Sequence, residues 1–340
     1  MSRTARLLTG LAALVLPIGT ATPASAHERW FVGDTPGGDW GFFLSPLPLL
    51  LTGAVVLVVV AWRLVALRLS GPELPFLRRL SRLTPYVPRL LAVHLGVSLL
   101  ALAATGSFLA HSTPVDDVPG GSLAALGEAA LGVWFITGVR LRPAAVLLVA
   151  LGPLALAAAG PVALLENAGI LGVAGFLAVL PPGDGTFGAV RTDPLRLRWA
   201  LLALRAGVAV ALVTLAFSEK LTNPDLARAT LDAYPRLDVF SLVGIHVDHL
   251  TFIAVAGAIE LLFGLLVLSG ALPQVAALVA AVPFTATLLL FGQTELVGHL
   301  PVYGVFLTLL VYGSDPATAA AVRWLPAPRV ARGWRVAAGA

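Results

Sequence analysis

The chain has 340 residues, of which 58% are hydrophobic and only 12% charged. Soluble domains carry about twice that share of charged residues, so the composition excludes an ordinary soluble protein. The absence of cysteine excludes disulfides, thiolate metal sites, iron–sulfur ligation and thiol–quinone relays. The formal net charge of +4 comes from arginines gathered in a few segments, and nothing in their pattern supports nucleic-acid binding.

Residues 1–26 have the pattern of a secretory signal peptide. Arg3 and Arg6 precede a short apolar run, and residues 24–26 form an A-x-A cleavage site. We expect cleavage here, which would make His27 the first residue of the mature chain and 27–43 an outer N-terminal segment. An uncleaved anchor is the alternative.

Apolar runs recur along the rest of the chain and predict an all-α polytopic membrane protein with about nine transmembrane helices. Most arginines fall between spans on one side, which predicts a mature N-terminus outside and a basic cytoplasmic tail over 314–340. We therefore expect a multi-pass protein of a bacterial cell membrane, with the lipid bilayer as its first partner. A leading helix within 44–69 opens the series, and the predicted spans are 44–68, 90–110, 122–140, 144–160, 161–180, 197–218, 249–270, 272–291 and 297–313.

Two predicted spans carry a glutamate near their middle, in the motif Glu-x3-Gly-x5-Gly that begins at Glu128 and again at Glu260. A carboxyl group at that depth is costly and normally faces a protein partner or a water-filled cavity. Glu128 and Glu260 are therefore candidate catalytic residues that would handle protons. The alternative is that each glutamate pins a neighbouring helix through a hydrogen bond.

The two motifs belong to a longer internal match between residues 90–180 and 197–313. In each half prolines follow the glutamate-containing span, and then an acid, Glu166 or Glu295. Four spans per half is an even number, so both copies would share one orientation. The pattern predicts two parallel four-helix repeats, and a site between them would suit a proton-coupled carrier of small solutes.

Residues 199–313 contain Arg205-Ala-Gly207, the run from Phe217 to Pro224 and the Glu260 motif. In these residues the segment resembles the DoxX family of small four-span bacterial membrane proteins. Residues 90–180 look like a more diverged copy that lacks an equivalent of Lys220. The resemblance implies a link to quinone-linked membrane redox chemistry, with quinone as a candidate ligand and a redox enzyme subunit as a candidate partner.

Charged residues at span ends are the candidates for ligand binding. Lys220 and Glu219 end the sixth predicted span, and Glu166 and Glu295 precede the last span of each half. Lys220 could orient a polar ligand or pair with Glu219 or Glu260. Adjacent charges at a helix end are also commonly placed there only by the membrane interface.

Histidines gather near the predicted outer face and suggest copper handling as a further alternative. His27, with its free terminal amine, and the pair His246 and His249 are candidate metal ligands. The His-x2-His spacing lacks a second fixed ligand pair. No nucleotide-binding or hydrolase motif is present, and whether the chain is an enzyme stays open. The resemblance and the two motif glutamates favour a non-thiol component of quinone-linked membrane redox chemistry. A proton-coupled carrier is the alternative, and a copper-handling protein or a scaffold is a further one.

Overall fold

A computed structural model of the chain describes residues 38–69, 72–180, 193–242, 244–291 and 293–326, without the side chains of 242 and 289–295. The predicted signal peptide, the start of the outer segment with His27, and the tail beyond 326 lie outside the described residues.

The described chain is helical apart from one short hairpin, β1 (Ser107–Phe108) and β2 (Ala110–Pro114). A 3-10 segment, Pro75–Tyr86, leads directly into the third helix, and a π-helical turn, Ala216–Leu221, ends the eighth. The α-helices are α1 (Trp40–Phe43), α2 (Pro46–Arg68), α3 (Val87–Ala104), α4 (Gly121–Thr137), α5 (Leu141–Ala150), α6 (Gly152–Glu166), α7 (Ala168–Val179), α8 (Pro194–Leu215), α9 (Pro224–Ala233), α10 (Val239–Leu242), α11 (His249–Ser269), α12 (Pro273–Phe291), α13 (Gln293–Ser314) and α14 (Ala319–Val322).

Five helical stretches among the described residues are long and apolar enough to cross a membrane, or six if α5 and α6 count as one bent span. This confirms a multi-helix membrane protein. The predicted number of nine spans is not confirmed by the described residues. Helix α4, helix α7 and the stretch Pro273–Leu288 are apolar but shorter. Length and composition alone identify these helices as spans.

The predicted boundaries differ most at two places. The second span was expected to reach residue 110, but α3 ends at Ala104 and the hairpin begins at Ser107. The fourth and fifth spans were expected to meet at residue 160. There Gly160 adopts a φ of 79° inside α6, and α5 and α6 also meet at a bend of 51°. Glycine followed by Pro161, which has no N–H to donate, explains the kink at the expected boundary.

The helices fall into two groups, α3–α7 and α8–α13, which are in contact through helices at their edges. Helix α7 of the first group packs along α8 of the second, and α13 packs along α3. Helix α2 lies against α11, and the side chain of Phe43 next to it contacts Phe217, with ring centroids 5.1 Å apart. The largest core cluster includes residues from both groups.

Glycines set the closest helix contacts. A Cβ atom added at Gly207 in α8 would lie 2.5 Å from the Cα of Gly172 in α7. A Cβ at Gly96 in α3 would lie 2.6 Å from the carbonyl oxygen of Gly132 in α4. Small residues allow backbones in lipid to approach closely enough for dispersion forces to hold them.

The same backbone features recur at one interval in the two groups. Helices α4 and α11 both end at a glycine with positive φ, 71° at Gly138 and 61° at Gly270. Two residues later Arg140 and Leu272 both have a φ of 47°. A guanidinium group from the first helix of each group, Arg89 or Arg205, lies against that glycine. The positive group thus meets the negative end of a helix dipole in both places.

We expect Gly207→Ala to destabilise the protein by roughly 1–3 kcal/mol, because the added methyl group would force α7 and α8 apart. Thermal unfolding in detergent, followed by circular dichroism, measures the change. Gly169→Ala is the matched control, since a Cβ there has nothing within 4 Å. Equal stability of the two variants would contradict this close packing.

Candidate functional site

One end of the bundle carries most of the predicted site residues. This hairpin end holds β1–β2, the π-helical turn and helix α9. Asn223 caps α9 by accepting from the backbone N–H of Leu226 at 3.4 Å. Asp248 caps α11, and hydrogen bonds from the hydroxyl and backbone N–H of Thr251 lower the pKa of that carboxyl.

Glu260 is held by Lys220. The Lys220 Nζ lies 2.9 Å from Glu260 Oε1 and 3.9 Å from Glu219 Oε2. The lysine side chain is 11% exposed and that of Glu260 30%, so the pair is only partly screened by solvent. A Cβ at Gly257 would meet Leu221 and the Cβ of Lys220 at 2.9 and 3.3 Å, which shows how closely the turn approaches α11.

The π-helical turn aims its polar residues in different directions. Ser218 donates to Glu166 Oε1 at 2.6 Å, while Lys220 pairs with Glu260 in α11 and with its own neighbour Glu219. An α-helix would rotate consecutive residues differently, and π-helical turns occur frequently at functional sites. The carboxyl groups of Glu219 and Glu260 thereby lie within 4 Å of one ammonium group, while that of Glu166 is bound by the neighbouring Ser218.

Glu128 has a different partner. Its side chain is fully buried, and its two oxygens accept the backbone N–H of Leu109 at 3.0 and 3.1 Å. Leu109 is the hairpin residue between β1 and β2 and has a φ of 59°, which is costly for a residue with a Cβ. The carboxyl group therefore pins the turn of the hairpin against α4. This contact resembles the helix-pinning alternative for Glu128, with a hairpin turn as the partner in place of a neighbouring helix.

The two motif glutamates do not meet. Glu128 binds the hairpin in the first helix group, and Glu260 binds the π-helical turn in the second. Neither lines the main cavity of the described residues.

That cavity lies between the two helix groups at the hairpin end and has a volume of about 80 Å³. Its walls are mostly apolar and come from α3, α7, α8, α12 and α13. Polar side chains from both groups reach it: Ser98, His111, Glu166, Asn167 and His299. Since Glu166 also accepts from Ser218, the cavity is joined to the turn that carries Lys220.

Of the described side chains predicted for ligand binding, only Glu166 lines this cavity. Lys220 and Glu219 do not line it, but they follow Ser218, which donates to Glu166. The side chain of Glu295, in α13, lies outside the described ones, so its role stays a prediction. Sequence reasoning did not assign Asn167 or Ser98, because neither stands in a motif. His111 and His299 were visible only as members of the histidine group near one face.

The candidate metal ligands are not brought together by the part of the chain that the structure describes. His246 and His249 are both exposed, and the Nδ1 of His249 lies 3.7 Å from Asp232 Oδ1. No group of three or more histidine, aspartate or glutamate side chains within the described ranges could hold a metal ion. His27 lies outside these ranges.

Comparison of the chain with protein-family models, curated proteins and solved structures finds no match in any of the three. The likeness to the DoxX family thus depends on the residues quoted for it, and any function has to be argued from the site itself.

We expect the Lys220–Glu260 pair to show an interaction energy of roughly 0.5–3 kcal/mol in a double-mutant cycle with Lys220→Met and Glu260→Gln. Each single change leaves a partly buried charge without its partner, whereas the double variant removes both. Unfolding free energies in mixed micelles supply the four corners of the cycle.

The control pair is Arg228 and Asp225 on α9, 3.9 Å apart and more exposed. An exposed pair of this kind contributes about 0.2–1 kcal/mol at most. A coupling at Lys220–Glu260 no larger than that of the control would contradict a structural role for the pair.

Proposed function

We propose that this chain is a DoxX-like membrane protein built from two diverged four-helix units after a leading helix, α2. It would handle protons at the cavity between the units, coupled to passage of a small solute. The observation that carries the proposal is the cavity of about 80 Å³, which lies between the helix groups and is lined by Glu166, His111 and His299.

The recurring backbone features support the duplication. Two positive-φ positions and one arginine–glycine contact occur in both groups at matching places. The edge contacts also correspond, since the last helix of each group packs on the first helix of the other. Four helices per unit would give both copies one orientation, and we place the hairpin end outside, in line with the arginine distribution.

The size of the cavity favours a small polar occupant. A cavity of about 150 Å³ accommodates benzene, whereas about 30 Å³ is the share of one water molecule in the liquid. A volume of about 80 Å³ therefore suits water or a solute of a few heavy atoms. Polar side chains on apolar walls would supply the hydrogen bonds that such an occupant needs.

The chemistry of the lining supports proton exchange. A carboxyl and two imidazoles can each take up and release a proton, and a hydrated cavity would connect them. Glu166 would be the central group, because it faces the cavity and is oriented by Ser218. Glu219 and Lys220 would position the turn behind it, with Glu260 as the anchor on α11.

Quinone-linked redox chemistry is the second candidate, favoured by the mostly apolar cavity walls beside imidazole and carboxyl groups. A quinone head would accept hydrogen bonds from imidazole, and Glu166 would exchange the protons. Electrons would come from a partner redox enzyme, since a chain without cysteine has no thiol to supply them. The cavity would have to widen to admit the ring.

The deciding experiment measures proton flux in proteoliposomes that enclose a pH-sensitive dye. Ammonium, formate, acetate, urea and glycerol are the solutes, chosen for their size. We expect one of them to drive proton movement, and Glu166→Gln to lower the rate at least about tenfold, as for loss of a catalytic acid–base group. Glutamine can still accept from Ser218, so the helices should keep their positions.

Glu128→Gln is the matched control, because it makes the same chemical change at a buried glutamate that does not line the cavity, and the amide oxygen of glutamine can still accept from Leu109. We expect its flux to stay close to that of the unchanged protein. Flux with none of the solutes, or equal loss in both variants, would contradict the carrier. Decylubiquinone binding that Glu166→Gln weakens, without solute-driven flux, would instead support the second candidate.

A further inference from the structure

The end of the bundle opposite the hairpin is strongly basic. This arginine end is where α4, α11 and α13 end and where α8 and α12 begin. Its exposed cationic side chains are those of Arg68, Arg78, Arg79, Arg82, Arg140, Arg196 and Arg198.

Three of these arginines lie on the 3-10 segment Pro75–Tyr86. A 3-10 helix has three residues per turn, so side chains three positions apart lie in one row. One row holds Leu77, Leu80 and Leu83, and Leu80 packs against the main core. The next row holds Phe76, Arg79 and Arg82, all exposed. Leu83 is 37% exposed, and Tyr86, three residues further along the leucine row, is 45% exposed. The segment thus contacts the core through Leu80 and carries Phe76, Arg79 and Arg82 on an exposed row, with Arg78 exposed on the third.

The start of the segment is fixed to the bundle by Gln274. The backbone N–H of Leu74 donates to Gln274 Oε1 at 3.1 Å, and the backbone N–H of Gln274 donates to Glu73 Oε2 at 3.0 Å. Gln274 is fully buried and its Nε2 donates to Ser314 Oγ at 2.7 Å. The segment also packs along α13. It therefore presents its arginines in a fixed orientation.

Carboxylates of the described chain do not neutralise these arginines. Within the described ranges no ion pair involves Arg78, Arg79 or Arg82. The acids at this end are bound elsewhere: Glu73 by Gln274, Asp193 by the first backbone N–H groups of α8, and Asp315 by the N–H of Ala317. No carboxylate among the residues that the structure describes therefore compensates the positive charge of the segment.

Large apolar side chains lie beside the charges. Phe76 is 72% exposed and Tyr86 45%, and Trp62 near the end of α2 is 42% exposed. Aromatic residues next to arginines at the end of spanning helices are typical of the headgroup layer, where rings meet acyl chains and cations meet phosphates. Water alone would leave these rings unfavourably exposed.

We propose that the segment Pro75–Tyr86 is a binding site for the headgroups of anionic phospholipids. Arg78, Arg79 and Arg82 bind phosphate oxygens, for which the guanidinium fork is suited, and Phe76 and Tyr86 enter the acyl-chain boundary. The site is separate from the cavity at the hairpin end and does not depend on its function. The segment packs on α13, and other residues of α13 line that cavity.

The test uses full-length protein in phosphatidylcholine bilayers with spin-labelled phosphatidylglycerol or spin-labelled phosphatidylcholine as the probe. Electron paramagnetic resonance gives the ratio of their association constants with the protein. We expect a preference for phosphatidylglycerol that the triple variant Arg78→Gln/Arg79→Gln/Arg82→Gln lowers about fivefold or more, since each arginine near an anionic surface contributes a factor of about five. High salt should reduce the preference of the unchanged protein as well.

The matched control is Arg68→Gln/Arg196→Gln/Arg198→Gln, which removes the same charge from the same end. We expect it to lower the preference less than the first triple variant does, because these three arginines lie outside the segment. No preference in the unchanged protein, an unaffected triple variant, or equal loss in both triple variants would overturn the site. Circular dichroism and gel filtration confirm that each variant is folded before it is measured.

Discussion

A carboxyl group inside an apolar helix bundle needs a hydrogen-bond donor or a positive charge as its partner. This requirement shapes the hairpin after α3 and the π-helical turn after α8. Glu128 and Glu260 stand in the same motif on α4 and α11, yet they are satisfied in different ways. In the first helix group the donor for Glu128 is the backbone N–H of Leu109, which lies in a strained hairpin turn. In the second, Lys220 reaches Glu260 from a π-helical turn. The connections after α3 and α8 differ in structure. One places a donor beside Glu128 in α4, and the other places a donor beside Glu260 in α11.

This arrangement separates the residues that hold the fold from those that face the cavity. Glu128 and Glu260 fix the turns, while Glu166 reaches the cavity between the groups and accepts from Ser218 on one of those turns. The close contacts of Gly96 with Gly132 and of Gly172 with Gly207 hold the helices at the distances that these bonds require. The polar lining of the cavity thus depends on a rigid surround, as a site for a small ligand requires.

Local sequence signals were sufficient for several features and insufficient for others. The apolar runs predicted helices, and the shared motif indicated that Glu128 and Glu260 occupy related positions. The hairpin after α3 was missed because its strands are short and its turn residue is a leucine, which rarely adopts a positive φ. The cavity could not be predicted, since Ser98, Asn167 and His299 are distant in sequence and meet only through helix packing. Helix lengths were overestimated where Gly160 and the bend between α5 and α6 interrupt an apolar run.

The central claim is that Glu128 fixes the hairpin after α3 and that Glu260 fixes the π-helical turn after α8. Amide hydrogen exchange, followed by mass spectrometry on peptides that cover 105–118, tests it most directly. Glu128→Ala should speed exchange in the hairpin at least about tenfold, because Leu109 loses its acceptor at a cost of about 1–3 kcal/mol. Glu260→Ala should leave the hairpin protected and instead speed exchange in residues 216–223. Unchanged protection of the hairpin in Glu128→Ala would contradict the account.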